Sequence, residues 1–215
     1  MIAFDANSTP TMNNATPTTL STVSSQFIND WLAALTSLCS DAQMASLMKR
    51  AGLVADCTQP YGRVTLDQIV RLYQLAAVET GDEMMGLWSR PIRPRALQHL
   101  LTSVREAGSL PAAMYRFSTF WNLLLDDYQF DLTETETALV LTLRPQHHIK
   151  AHPFGHMLIL KLAHGLLSWL AGHEVPVKGV GFAFERPEFA QDYTVIFPAP
   201  LQFGRPATSI TFDPR

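Results

Sequence analysis

The stretch HHIKAHPFGHMLILKLAHGLLSWLAGHE, residues 147–174, holds six of the chain's seven histidines. Imidazoles are the commonest neutral metal ligands and the usual proton shuttles near neutral pH, so a metal or acid–base centre is the first chemistry to weigh. His148, His152 and His156 are four residues apart, the spacing that aligns side chains on one helical face. Pro153 follows His152, however, and the residue before a proline is pushed out of the helical region, so the three do not share a face. A zinc site also needs three or four converging ligands with partners behind them, and no Cys, Asp or Glu stands at supporting spacing. GHEVP at 172–176 lacks the second histidine of an HExxH helix. No metal, haem or other cofactor is expected, and the histidines are read as polar edge residues or caps.

Other reactive arrangements fare no better. The chain has no GxSxG elbow, and Cys39 and Cys57 match neither a redox CxxC nor a zinc knuckle, so they read as reduced, core-packing thiols of a cytoplasmic protein. Glu134 and Glu136 fall in a hairpin turn where solvated carboxylates are ordinary. GVGF at 179–182 lacks the glycine pattern of a phosphate loop. An enzyme is not expected, and no catalytic residue is assigned.

Composition narrows the partners. With 47% hydrophobic and 16% charged residues the chain can bury a real core. A net charge of -3 supplies no basic field for a phosphate backbone, so these residues alone are not expected to bind nucleic acid. The Ser, Thr, Asn and Pro of residues 1–24 suit a flexible leader without the charge and apolar run of an export signal. Residues 154–171 approach membrane-spanning length, but Lys161, His156 and His164 would be costly in lipid, so a buried helix and no membrane association are expected.

These side chains must be positioned by elements that the hydrophobic period marks out. Residues 25–127 read as a helical subdomain. Val23, Phe27, Ile28, Trp31, Leu32 and Leu35 recur at helical spacing, a second helix over 41–52 stops at Gly52, and Thr65 with Gln68 forms a capping box for a third. Two more helices follow within 93–108 and 109–127. From Tyr128 the period becomes two, which predicts an α/β subdomain over 128–215: a hairpin from 128–134 and 137–145, a long apolar helix, a strand within 177–185, and short strands near 200–204 and 209–212. The expected fold is α+β, an N-terminal helical bundle followed by an antiparallel β-sheet packed on a long apolar central helix.

Three segments in fixed order carry a resemblance: TGDEMMGLW at 80–88, SLPAAMYRF at 109–117, and IFPAPLQFG at 196–204 followed by SITF at 209–212. Together they resemble the T-G-D-x-x-x-G-L, T-L-x-x-A-L-x-R and F-G-x-P-V-x-F patterns of the N-terminal, arabinose-binding-like sensing domain of AraC/XylS-type transcription regulators, from about Val64 onward. Gly86, Pro198, Pro200, Phe203 and Phe212 each also suit plain structural roles, as close approach, turn or core. The chain departs from the pattern at RPIRPRALQHLL, 90–101, where a Gly-x-Leu-Gly segment is usual. The resemblance implies a small-molecule effector, a possible homodimer, and DNA contact only through a basic C-terminal helix-turn-helix domain that is expected to lie outside this chain. A stand-alone small-molecule-binding protein and an enzyme with an unrecognised site stay as alternatives.

A site can be sketched on the central helix. Lys161, His164 and Ser168 fall within an arc of about 60°, while Met157, Leu158, Leu162, Leu166, Trp169 and Leu170 occupy the rest. Such a row either faces water, with Lys161 snorkelling, or lines a mostly apolar pocket. In the second case Met85, Trp88, Phe117, Trp121 and Phe184 are the expected walls, and Lys161 or Arg144 would favour a hydrophobic or carboxylate-bearing ligand. The Phe27, Trp31, Leu35 stripe is either a dimer face or ordinary core.

Overall fold

In the computed structural model, residues 21–53, 62–146 and 152–213 are described; His147, His148 and Cys57 lie outside them. Residues 1–20 of the expected leader lie outside the described part, whose first element is a short strand, β1 (Thr22–Ser24). It pairs antiparallel with β2 (Arg63–Thr65), Val23 opposite Val64. A single 3-10 turn, Ser25–Ile28, leads into α1 (Asn29–Thr36), followed by α2 (Asp41–Arg50) and α3 (Leu66–Thr80). Each of the last two begins on a capping box. Thr65 Oγ1 accepts the Gln68 N–H at 3.1 Å while Gln68 Oε1 accepts the Thr65 N–H at 2.9 Å, and Ser40 and Gln43 repeat the exchange for α2. Gln68 also donates to the Gly52 carbonyl at 2.7 Å, which ties the end of α2 to the start of α3.

The TGDEMMGLW segment is a loop built around one carboxylate. Asp82, 3% exposed, accepts N–H bonds from Met84, Gly86 and Ile92 at 2.8–2.9 Å. Gly86 has φ +76°, a conformation that requires glycine, and a Cβ there would lie 2.8 Å from Leu38 Cδ1, so the exposed Leu38 side chain would also have to shift. Glu83 accepts the N–H groups of Arg95 and Leu97 and so caps α4 (Ala96–Arg105), whose own Arg95 makes no side-chain cap. Ser109 caps α5 (Leu110–Leu124), with Pro111 in the first turn where a missing N–H costs nothing.

The sheet has five strands in the order β3 (Tyr128–Glu134), β4 (Leu139–Pro145), β7 (Thr208–Phe212), β5 (Val177–Gly181), β6 (Leu201–Gln202). Its ladders are antiparallel except at the β5–β6 edge, which is parallel because the chain passes through a 3-10 turn (Ala190–Asp192) and α7 (Tyr193–Ile196) before it returns. The fold is α+β, as its pattern of periods implied.

The long helix α6 (Pro153–Ala171) packs against α1, α5 and β7. It is long and apolar enough to cross a membrane, yet two thirds of its most apolar window is buried inside the protein. One hydrophobic cluster runs from Val23 through α6 to Phe212 and joins the helical and sheet-bearing halves. Phe27, Trp31 and Leu35 belong to it, with Trp31 stacked on Phe154 at 4.5 Å and 6°. That stripe is core, turned onto α6.

Candidate functional site

α6 places four polar side chains along its length, and three of them are tied to backbone. His164 Nε2 lies 2.9 Å from the Val175 carbonyl and Ser168 Oγ accepts the Val175 N–H at 3.0 Å, so the chain entering β5 is laced to the helix. Lys161 Nζ donates to the carbonyl of Ile196, the last residue of α7, at 2.9 Å. It stands 3.3 Å from His164 Nδ1. Since the ammonium has only donors, Nδ1 must accept, which leaves Nε2 protonated to bond Val175. Burial, and then the Lys161 charge, hold the His164 pKa below its ordinary value and keep the ring neutral in that tautomer. Of the two roles expected for this row, neither describes it fully. His164 and Ser168 satisfy backbone, and Lys161 alone also reaches a pocket.

The fourth, His156, is 2% exposed and bridges two strands. Its Nε2 lies 2.8 Å from the Tyr128 hydroxyl and its Nδ1 2.7 Å from Thr208 Oγ1, which in turn accepts the Ala183 N–H at 3.0 Å. Burial pushes its pKa down to about 4, so it is a neutral structural imidazole. Burial likewise pushes the Tyr128 phenol up to about 12. The expectation of edge or capping histidines therefore holds at His152, which precedes α6 without making a cap bond, and at the exposed His173, just past the C-cap of α6. His156 and His164 are interior because helix and sheet supply partners that spacing does not reveal. Among the described residues no three His, Cys, Asp or Glu side chains are grouped to hold a metal ion.

The pocket that Lys161 borders has a volume of about 250 Å³ and is lined by α3, α6 and α7. Leu66, Ile69, Val70 and Tyr73 form one wall, Phe154, Met157 and Leu158 the second, and Val195, Ile196 and Phe27 close it. The Lys161 ammonium stands at its edge, 5.6 Å from the centre of the Phe197 ring. Burial lowers the Lys161 pKa, which a nearby Glu174 partly offsets. A larger groove of about 640 Å³ between the start of α5 and β3 is edged by the exposed Ser109, Tyr115 and Glu134, and so withdraws little from water.

The other expected site residues stand elsewhere. Phe117 and Trp121 pack under Phe130 of β3, Trp88 lies edge-on to Tyr128, and Met85 is fully buried in the Asp82 loop. Phe184 joins an aromatic group with Phe182, Tyr193 and Phe203. Arg144 pairs with Asp131 across the exposed hairpin. None of these lines the α3–α6 pocket. Its α3 wall, Leu66, Ile69, Val70 and Tyr73, is not among the residues expected for the site.

A half-enclosed apolar pocket thus lies beside the central helix, on a frame of capped helices and a mixed sheet. The chain matches the family described as the arabinose-binding domain of AraC transcription regulators, N-terminal, over residues 42–215, and it belongs to that family. It is thus a sensing domain of the AraC type, in a family of regulatory ligand-binding domains rather than enzymes. No curated protein matches the chain.

Proposed function

We propose that this domain senses a small hydrophobic effector in the α3–α6 pocket and thereby controls the dimerisation or activity of a linked DNA-binding domain in the cytoplasm. The observation that carries the reading is the pocket itself: ten apolar or aromatic side chains and one ammonium around about 250 Å³, the mix of many apolar walls and few polar groups that small-molecule sites use. It suits an apolar molecule better than a sugar. A pentose would lose water at each hydroxyl, while among the described residues only Tyr73 and Lys161 bring hydrogen-bonding side-chain groups to the lining. An effector can shift the regulator only by binding its two states differently. The wall made by Val195 and Ile196 offers such a difference: among the described residues, α7 is held to the rest by the aromatic packing of Tyr193 and by a few polar ties. These include Lys161 to Ile196 and, just before it, Asp192 to Arg63 and to the Ser24 N–H.

The test is thermal shift with 1-octanol, an aromatic alcohol and arabinose, on the native chain and on Ile69→Trp, which fills the pocket. The alcohols should raise the melting temperature of the native chain and lose most of that effect in the variant. Stabilisation by arabinose alone, unchanged in Ile69→Trp, would remove the effector from this pocket.

A further inference from the structure

Lys161 is a half-buried ammonium with an incomplete set of partners. Of its three N–H donors, one reaches the Ile196 carbonyl and one faces His164 Nδ1. Both acceptors are neutral. Among the described residues, no carboxylate lies within 4.0 Å of it, although Arg63, Arg144 and Lys178 each have one at that range. Burial disfavours this cation, and a charge withdrawn from water is stabilised well only by an opposite charge or a full set of hydrogen bonds. The side chain that carries the remaining donor lines the apolar pocket.

Resting on the reading that this pocket is the effector site, we propose that its occupant is a medium-length monocarboxylate, aliphatic or arylalkyl, whose carboxylate takes the free donor of Lys161 while its tail fills the space between α3 and α6. Volume sets the length. A cavity of about 150 Å³ accepts benzene, so the pocket's larger volume takes a molecule of roughly ten non-hydrogen atoms, the size of octanoate or 3-phenylpropionate. A much longer chain would have to leave part of itself in water. Charge sets the head group. A neutral alcohol of the same length gains the apolar burial but leaves the ammonium with only the Phe197 ring and the more distant Glu174 charge as compensation, whereas a carboxylate forms a charge-assisted bond. Position sets the consequence. Lys161 also holds the last residue of α7, so a carboxylate that draws Nζ toward the pocket competes with the Ile196 carbonyl and loosens or re-seats that wall.

The experiment compares octanoate, 1-octanol and palmitate by calorimetric titration of the full chain, native and as Lys161→Met, Lys161→Arg and Ile69→Trp. The native chain should bind octanoate more tightly than 1-octanol, and palmitate no more tightly than octanoate. Lys161→Met should weaken octanoate roughly tenfold to a hundredfold, the worth of a charged hydrogen bond. It should weaken 1-octanol far less, and a native far-UV circular dichroism spectrum shows that the variant is folded. Lys161→Arg should retain most of the octanoate affinity. If octanoate and 1-octanol bind the native chain alike, and Ile69→Trp abolishes both, the head-group assignment falls while the pocket stands as the site. If neither binds, or Ile69→Trp changes nothing, the pocket reading falls with it.

Discussion

The carboxylate of Asp30, on α1, accepts the backbone N–H of Phe154, on α6, at 2.8 Å. The central helix thus receives its N-cap from a residue more than a hundred positions away, because His152 makes no cap bond and Pro153 has no N–H. Burial raises the Asp30 pKa, and the bond to Phe154 only partly opposes this. The group is therefore a useful acceptor held at an electrostatic disadvantage.

Asp30→Ala should lower stability by about 1–2 kcal/mol, the usual loss when a cap is removed, measured by denaturant unfolding. Asp30→Asn keeps an oxygen for the Phe154 N–H and removes the buried charge. It should be distinctly milder than Asp30→Ala at neutral pH. Equal losses in the two variants would mean that the charge itself, rather than the cap, is what α6 requires.

His156 gives the fold a pH dependence whose sign can be fixed. Its pKa is about 4 in the folded chain and 6.5 when free, so between those values the unfolded chain binds a proton that the folded chain does not. Stability is unaffected above pH 6.5 and falls as pH drops toward 4, by about 1.4 kcal/mol per unit and about 3 kcal/mol in all. Chemical unfolding at a series of pH values should show this slope in the native chain and a shallower one in His156→Gln. Identical slopes would mean that the ring is not buried neutral between Tyr128 and Thr208.

Periodicity and local chemistry made most elements of this fold readable. The Thr65–Gln68 box, the Gly52 stop and the change of period at Tyr128 are all set within a few residues, and each corresponds to an element boundary. The buried state of α6 was also readable, from apolar residues all round it. What was hidden depends on contacts far apart in sequence. The Asp30 cap, the His156 bridge and the parallel β5–β6 edge each join segments that nothing local relates. The site was half legible for the same reason. Lys161 stood out as a cation on an apolar helix, but Phe117 and Trp121 are as aromatic as any pocket wall, and only packing shows that they lie under β3 while Ile69 and Leu158 face the cavity.

Gly86 should not tolerate a side chain. With φ +76° and Leu38 Cδ1 2.8 Å from the position of a Cβ, Gly86→Ala combines backbone strain with a clash. The expected cost is about 1–3 kcal/mol. Adding Leu38→Ala would remove the nearest contact but neither the strain nor the 3.3 Å approach to the Ala34 carbonyl, so the double variant should recover less than the whole loss attributable to Gly86→Ala in a double-mutant cycle. Complete recovery would assign the requirement for glycine to space alone.

Stability and binding should separate between the two groups of apolar residues. Trp121 is fully buried between Phe117 and Phe130, away from the pocket. Trp121→Ala should cost about 3–5 kcal/mol through the cavity it leaves, while the fraction that stays folded keeps the native affinity for 1-octanol. Its indole N–H is buried with no partner among the described residues. Trp121→Phe removes that unsatisfied donor together with some packing, so it should be much less damaging than the alanine change. Ile69→Trp is a different case, because Ile69 belongs to the core cluster but also borders the pocket, so the added volume can enter the cavity. It should shift the melting temperature little and abolish 1-octanol binding. Titration of the variants at a temperature where each is at least mostly folded checks both halves. Loss of affinity in folded Trp121→Phe would move the effector site toward α5 and β3, where Phe117, Trp121 and Phe130 meet.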